Sequence, residues 1–255
     1  MSKNLPSDTF IFKDKNLIDC FGQALKQGTK FVEQHPESNF EIFLNSNLNQ
    51  VELTYNRVSL KSDFAPLFGP GDVPGLLTDG DMLAIKELSK KLPDSGTFVE
   101  IGTFLGKSAV EWAKNFKEQN KEYSIIAIDS FNTPIEILKE LLIEADFDLP
   151  PGNSQLDWFK HYTKNFKNIR GLEVFFNKDY ILDISLAGVF EDSDHTQAAL
   201  VHALPYWWKK IQIGGVLSGH DYADEVKLAV DQFALLNNLE VNTFDSSSIW
   251  YIEKN

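Results

Sequence analysis

Residues 97–109 read Thr97-Phe-Val-Glu-Ile-Gly102-Thr-Phe-Leu-Gly106-Lys-Ser-Ala109. A short apolar run closes on Gly102, a second glycine follows at Gly106, and Ser108 to Phe116 has helical character. Gly102 permits a sharp turn at the end of a strand, and Gly106 lets the next helix pack close to it. The start of that helix offers N–H groups and the positive end of a dipole to a ligand. This is not the G-x-G-x-x-G dinucleotide fingerprint, because Thr103 and Phe104 hold its middle. Nor is it a regular phosphate loop, because the spacer back from Gly106-Lys-Ser108 is one residue short. Taken alone, the two glycines read equally well as an ordinary tight turn.

Further along, Tyr123-Ser-Ile-Ile-Ala-Ile-Asp129 is a near-continuous apolar run of the kind buried in parallel sheets. Helical stretches at Pro134–Ala145 and Gln155–Phe166 precede a third strand, Leu172–Phe176. A fourth strand, Ser185–Phe190, leads to a helix at His195–Leu204, and a fifth, Gly215–Gly219, to a helix at Glu225–Leu236. Leu239–Phe244 and Ser248–Ile252 read as two further strands, antiparallel neighbours. Upstream, Thr78-Asp79 caps a helix with Met82, Leu83, Ile85, Leu88 and Leu92 on its apolar positions. Strands alternating with helices predict an α/β sheet with helices on both faces, mostly parallel, with an antiparallel C-terminal strand. Ligands of such sheets bind beyond the carboxyl ends of the strands.

Phe68-Gly-Pro-Gly-Asp-Val-Pro-Gly75 packs three glycines and two prolines into eight residues. It marks a boundary between an N-terminal extension, 1–75, and a main domain, 76–255. In the extension, Leu17–Val32 reads as a helix, and Phe40–Asn45 with Val51–Leu60 as a hairpin or two short strands. The chain has 255 residues and a formal charge of −13. Such an acidic body repels phosphate backbones, so nucleic acid is not the expected partner. Cys20 is the only cysteine, which excludes an intrachain disulfide and a cysteine-built zinc site. No segment reaches the roughly 20 apolar residues of a membrane helix, and the start has no apolar signal core. The expected location is the cytoplasm.

The strand ends hold the chemistry. Asp129 closes the second strand about 20–30 residues after the glycines, where an acidic residue can accept both hydroxyls of a ribose. The fourth strand runs into Glu191-Asp-Ser-Asp-His195 and the fifth into His220-Asp-Tyr222. Adjacent strands would bring these clusters together, where carboxylates and imidazoles could hold a divalent cation. The competing reading is helix capping by Asp192 or Asp194, which leaves the second cluster unexplained. Trp207 and Trp208 read as packing residues, and His202 as a helix-face residue.

From about Gly75 to Lys254, these motifs in this order resemble a class I S-adenosylmethionine-dependent methyltransferase with its Rossmann-like sheet. Phe98–Ala109 is similar to the cofactor loop of catechol O-methyltransferases. Asp192 through His195, Trp207 and Gly214-Gly215 to His220-Asp-Tyr222, and then Val226–Phe233, look more like bacterial macrolide-sugar O-methyltransferases. The resemblance implies that Glu100, Gly102, Phe104, Gly106 and Ser108 line the methionine end of the cofactor. It places Asp129 on the ribose, and Asn177-Lys-Asp179-Tyr180 beside the adenine. It assigns a magnesium or manganese ion to Asp192, His220 and Asp221, with Asp192 also beside the cofactor, and the base to His195. One departure is His220, where metal-binding relatives carry an acidic residue.

The expected activity is O-methylation of a small hydroxylated molecule. The aromatic segment 131–166 is the candidate lid, and the N-terminal region a wall or a dimer contact in a homo-oligomer. Two other readings stand beside it: a binding protein that keeps the fold without catalysis, and a metal-dependent hydroxylating or hydrolytic enzyme on the same scaffold.

Overall fold

The computed structural model describes residues 8–13, 38–45, 50–57, 72–174 and 184–255. The helix expected at 17–32 and the Asn177–Tyr180 segment, with Asp179, lie outside them, as do Cys20 and His35. The chain divides into two compact units, Met1–Phe64 and Ala65–Asn255. The first contains an antiparallel sheet of β1 (Asp8–Lys13), β2 (Ser38–Asn45) and β3 (Gln50–Arg57), in the order β1-β3-β2. β2 and β3 pair as the sequence leads one to expect, with Leu44 opposite Val51. β1, six residues from Asp8 to Lys13, was not foreseen.

The second unit begins its regular structure with α1 (Asp79–Lys91). Thr78 caps this helix, and Asp81 returns a bond from its third position, a reciprocal capping box. Then come β4 (Ser95–Ile101), α2 (Lys107–Glu118), β5 (Glu122–Asp129), α3 (Ile135–Glu144), α4 (Gln155–Thr163) and β6 (Ile169–Glu173). β7 (Leu186–Glu191), α5 (Gln197–Lys210), β8 (Ile211–Gly219), α6 (Asp224–Asn237), β9 (Asn242–Thr243) and β10 (Trp250–Glu253) follow.

Seven of these strands form one sheet in the order β6-β5-β4-β7-β8-β10-β9. β4 to β8 are parallel, and β10 runs antiparallel to both β8 and β9. β4 pairs with β5 on one side and β7 on the other, so the strand order reverses at β4. This switch point is where an open α/β sheet leaves a crevice.

Side-chain alternation along the strands builds a core on each face. From β4, Phe98 joins Ile85 and Leu88 of α1 and Trp112 and Phe116 of α2. Val99 and Ile101 face the other way, onto Leu204 and Trp207 of α5 and Val230 and Phe233 of α6. Phe98 and Trp112 lie with ring centroids 4.5 Å apart, and Phe116 stacks on Tyr123 at 3.9 Å.

Several elements differ in their bounds from expectation; β8 starts at Ile211 and not Gly215, and β9 is only Asn242–Thr243. The third strand of the Rossmann order, β6, sits earlier than Leu172–Phe176. It begins at Ile169, where Gly171 leaves room for the Phe159 ring of α4. α5 begins at Gln197 and passes through Pro205 to Lys210, where the sequence was expected to stop at Leu204. Proline removes a helical donor. Burial of Leu204 and Trp207 on the sheet continues the helix beyond it. Trp207 and Trp208 pack there as expected, Trp208 against Phe233, and His202 lies exposed on α5. Among the described residues, no helix is long and apolar enough to cross a membrane.

Candidate active site

The loop from β4 to α2 is built on left-handed residues: Gly102 at φ 84°, Phe104 at 52° and Gly106 at 92°. Gly102 is required by packing. A Cβ there would lie 2.0 Å from the Asp192 carbonyl oxygen, so the end of β7 runs directly against the loop. At Gly106 a Cβ would meet Thr163 at 2.8 Å and the Phe159 ring at 3.0 Å. No side chain caps α2, which starts straight after Gly106.

Glu100 is fully buried beneath this loop. Thr103 Oγ1 donates to its carboxylate at 2.9 Å, and Ser108 Oγ donates to its other oxygen. Burial pushes the Glu100 carboxyl up to about 8 against those two hydroxyls, and Asp192 and Asp129 add to the rise. Glu100 and Ser108 thus bond each other inside the loop. Asp129, ending β5, faces the loop: Oδ2 accepts from the Phe104 N–H and Oδ1 from the Phe131 N–H, both at 2.8 Å. Burial raises its pKa while these amides oppose the rise.

A cavity of about 350 Å³ opens beyond the ends of β4, β5 and β7, lined by Ile101, Gly102, Ile128, Asp129, Glu191 and Leu200 among others. Burial raises Glu191 to about 7, although it accepts from the Ser193 N–H and Oγ. A larger open groove of about 770 Å³, beside Phe116, Lys117 and Tyr123, lies at the opposite ends of the strands, away from all of these groups.

At the ends of β7 and β8 the two acidic-histidine clusters do meet. His195 Nε2 lies 3.6 Å from Asp192 Oδ1 and 3.3 Å from Asp221 Oδ2. Asp192 raises the His195 pKa, as does Asp221, against partial burial. The potential ligand atoms of Asp192, His195 and Asp221 all lie within 4.8 Å of one another. This set differs by one residue from the expected ligands Asp192, His220 and Asp221. The two nitrogens of His220 are directed at carboxylates: Nδ1 lies 3.3 Å from Asp221 Oδ1 and 3.7 Å from Asp192 Oδ1, and Nε2 lies 3.3 Å from Asp81 Oδ2. Burial opposes its charge, but Asp221, Asp81 and Asp192 together push it up to about 10. The surrounding carboxylates thus favour the charged form of this ring.

Asp81 itself is buried. Desolvation works against its charge, yet His220, Ser247 and Thr78 hold it well below the ordinary carboxylate range. Its Oδ1 accepts from Ser247 Oγ at 2.7 Å and from the Ser248 N–H at 3.2 Å. Sequence reasoning did not single out Asp81, whose place in a capping box hides its second role under the site. Within the aromatic segment 131–166, two of the large rings pack inward. Trp158 and Phe159 are buried, in the clusters around Leu105 and Phe131, and are not free to form a lid.

Residues 99–222, a little under half of the chain, match the family described as a methyltransferase domain. No curated protein matches the chain. Among solved structures, the O-methyltransferase NovP is 16% identical, with a TM-score of 0.51, over 71% of this chain and 82% of that one. A precorrin-6y C5,15-methyltransferase from Geobacter metallireducens is 14% identical, with a TM-score of 0.48, over 69% and 86%. An rRNA methylase from Streptococcus thermophilus is 14% identical, with a TM-score of 0.47, over 71% and 99%. At such identities the likeness to NovP is one of fold. The family match falls within the second unit.

Proposed function

We propose that this protein transfers the methyl group of S-adenosylmethionine to a hydroxyl oxygen of a small molecule, with His195 as general base. The observation that carries this reading is the seat of His195 Nε2 between Asp192 and Asp221, at 3.6 and 3.3 Å. Two carboxylates on one ring nitrogen orient the imidazole and stabilise its protonated form, leaving Nδ1 for a substrate proton.

The cleft suits the cofactor chemically. Asp129 can accept from a ribose diol, since each of its oxygens has a lone pair beyond those taken by Phe104 and Phe131. Glu191 lines the same cavity, and the Asp192 backbone closes it against Gly102. Bound S-adenosylmethionine supplies an already electrophilic methyl group. The protein then has to align the acceptor oxygen behind that carbon and take one proton, and His195 Nδ1 takes it. The formal charge of −13 supports a small acceptor over a nucleic acid.

A second reading rests on the same three side chains. The proximity of their ligand atoms would let Asp192, His195 and Asp221 hold a divalent ion, which would polarise the acceptor oxygen. His195 would then be a ligand and not the base. The charged form of His220 that the same carboxylates favour would weigh against adding charge there.

The test is labelled methyl transfer to a panel of hydroxylated small molecules, with His195→Ala and a chelated sample beside the wild type. The variant should bind S-adenosylhomocysteine normally while turnover falls about 100-fold or more. Full turnover by His195→Ala, or transfer only to nitrogen, carbon or RNA, overturns the proposal. Loss of turnover on chelation, with recovery on added metal, favours the second reading.

A further inference from the structure

The chain between β5 and β6 holds two helices, and the second of them braces the loop that follows β4. Gln155 opens α4 just after its cap, Ser154, and is 2% exposed. Both ends of its amide are used. Nε2 donates to the Phe104 carbonyl at 3.2 Å, and Oε1 accepts from the Thr133 N–H at 2.9 Å. Phe104 is the left-handed residue in the middle of the Gly102–Gly106 loop, and its own N–H is held by Asp129 at 2.8 Å. Its N–H and its carbonyl are therefore each pinned by a side chain, from two different elements. The same helix packs Phe159 and Thr163 against Gly106, and Trp158 shares a buried cluster with Leu105.

We infer that Gln155 is a positioning residue for the cofactor, tying the Phe104 loop to the Thr133 turn so that the two walls beside Asp129 keep a fixed separation. The inference rests on the S-adenosylmethionine reading above. A non-glycine residue at positive φ is held only when its surroundings over-determine it. A loop already ordered in its binding geometry binds more tightly, because less freedom is lost on association. Gln155 provides that order from a helix outside the glycine loop, through one donor and one acceptor.

Three full-length variants separate this role from general stability. Gln155→Ala removes both bonds. Gln155→Glu keeps an acceptor for the Thr133 N–H and loses the donor to Phe104. Ser154→Ala weakens the cap of the same helix, a bond from the Asp157 N–H at 3.1 Å, and leaves Gln155 in place. Two readouts are taken: amide hydrogen exchange of 103–106 and 131–133 without ligand, and calorimetric titration with S-adenosylhomocysteine.

Gln155→Ala should speed exchange in both segments. Gln155→Glu should speed it in 103–106 and preserve protection at Thr133. Both should weaken S-adenosylhomocysteine about tenfold, while Ser154→Ala stays within twofold of the wild type. Unchanged exchange or unchanged affinity in Gln155→Ala overturns the inference, and so does equal weakening by Ser154→Ala. A wild type that binds no S-adenosylhomocysteine at all removes the cofactor reading itself, and this inference with it.

Discussion

Asp129 Oδ2 accepts the backbone N–H of Phe104 at 2.8 Å, so the residue expected on the ribose already shapes the loop that would hold the rest of the cofactor. The two roles share one carboxylate. Asp129→Ala should cost stability as well as affinity, about 1–3 kcal/mol for the amides left unpaired. Asp129→Asn keeps one carbonyl oxygen and should fall between the alanine variant and the wild type in both. Denaturant unfolding with and without S-adenosylhomocysteine measures the two effects. Equal stability of all three proteins would show that the loop does not depend on Asp129.

Gly102 is expected to tolerate no side chain. Its φ of 84° disfavours any Cβ, and that Cβ would meet a carbonyl oxygen of the neighbouring strand end at 2.0 Å. Gly102→Ala should lose about 3 kcal/mol or more in thermal unfolding, against about 1–2 kcal/mol for Gly214→Ala, where the backbone strain acts alone. Gly214 shares the positive φ, at 79°, but nothing lies within 4 Å of its would-be Cβ. Similar losses at the two positions would mean that backbone strain, and not the approach of Asp192, sets the requirement.

The pH dependence of stability should carry the mark of two buried carboxyls. Burial raises Glu100 to about 8 and Glu191 to about 7. An acid whose folded pKa is raised stabilises the fold fully below its unfolded pKa, near 4.3 for glutamate. That contribution is lost as pH climbs through the folded value. Stability should therefore decline between about pH 5 and 8, and Glu100→Gln should flatten the decline. A curve of unchanged slope in the variant would mean that Glu100 stays ionised, held by Ser108 and Thr103.

Turnover should rise with pH across the titration of His195, whose pKa lies above the usual histidine value because the Asp192 carboxylate beside it favours the charged ring and Asp221 adds to the attraction. The base works deprotonated, so the acid limb marks that raised value. Asp192→Asn removes the first cause and should move the limb to lower pH while slowing turnover. An acid limb that stays in place would detach the profile from His195.

Much of this was legible in the sequence because buried parallel strands announce themselves. Tyr123–Asp129 and Phe98–Gly102 are apolar runs ending in a candidate site residue, and the structure places their ends at the switch point. The meeting of Asp192 and His195 with His220 and Asp221 follows from the adjacency of β7 and β8. What stayed hidden depends on contacts across the fold. Asp81 reads as a helix cap and reaches His220 only because α1 packs beside the end of β8. Gln155 is an ordinary polar residue at a helix start until its amide spans two loops. Trp158 and Phe159 look like lid aromatics in a polar segment, but Gly106 and Gly171 open the spaces that bury Phe159.

Calorimetric titration of the folded wild type with S-adenosylhomocysteine tests the central claim most directly. A single site with a dissociation constant of about micromolar order, roughly −8 kcal/mol, is expected, weakened at least tenfold by Asp129→Ala. A well-folded wild type that takes up no S-adenosylhomocysteine, or an Asp129→Ala variant that binds it just as tightly, contradicts the assignment of this cleft.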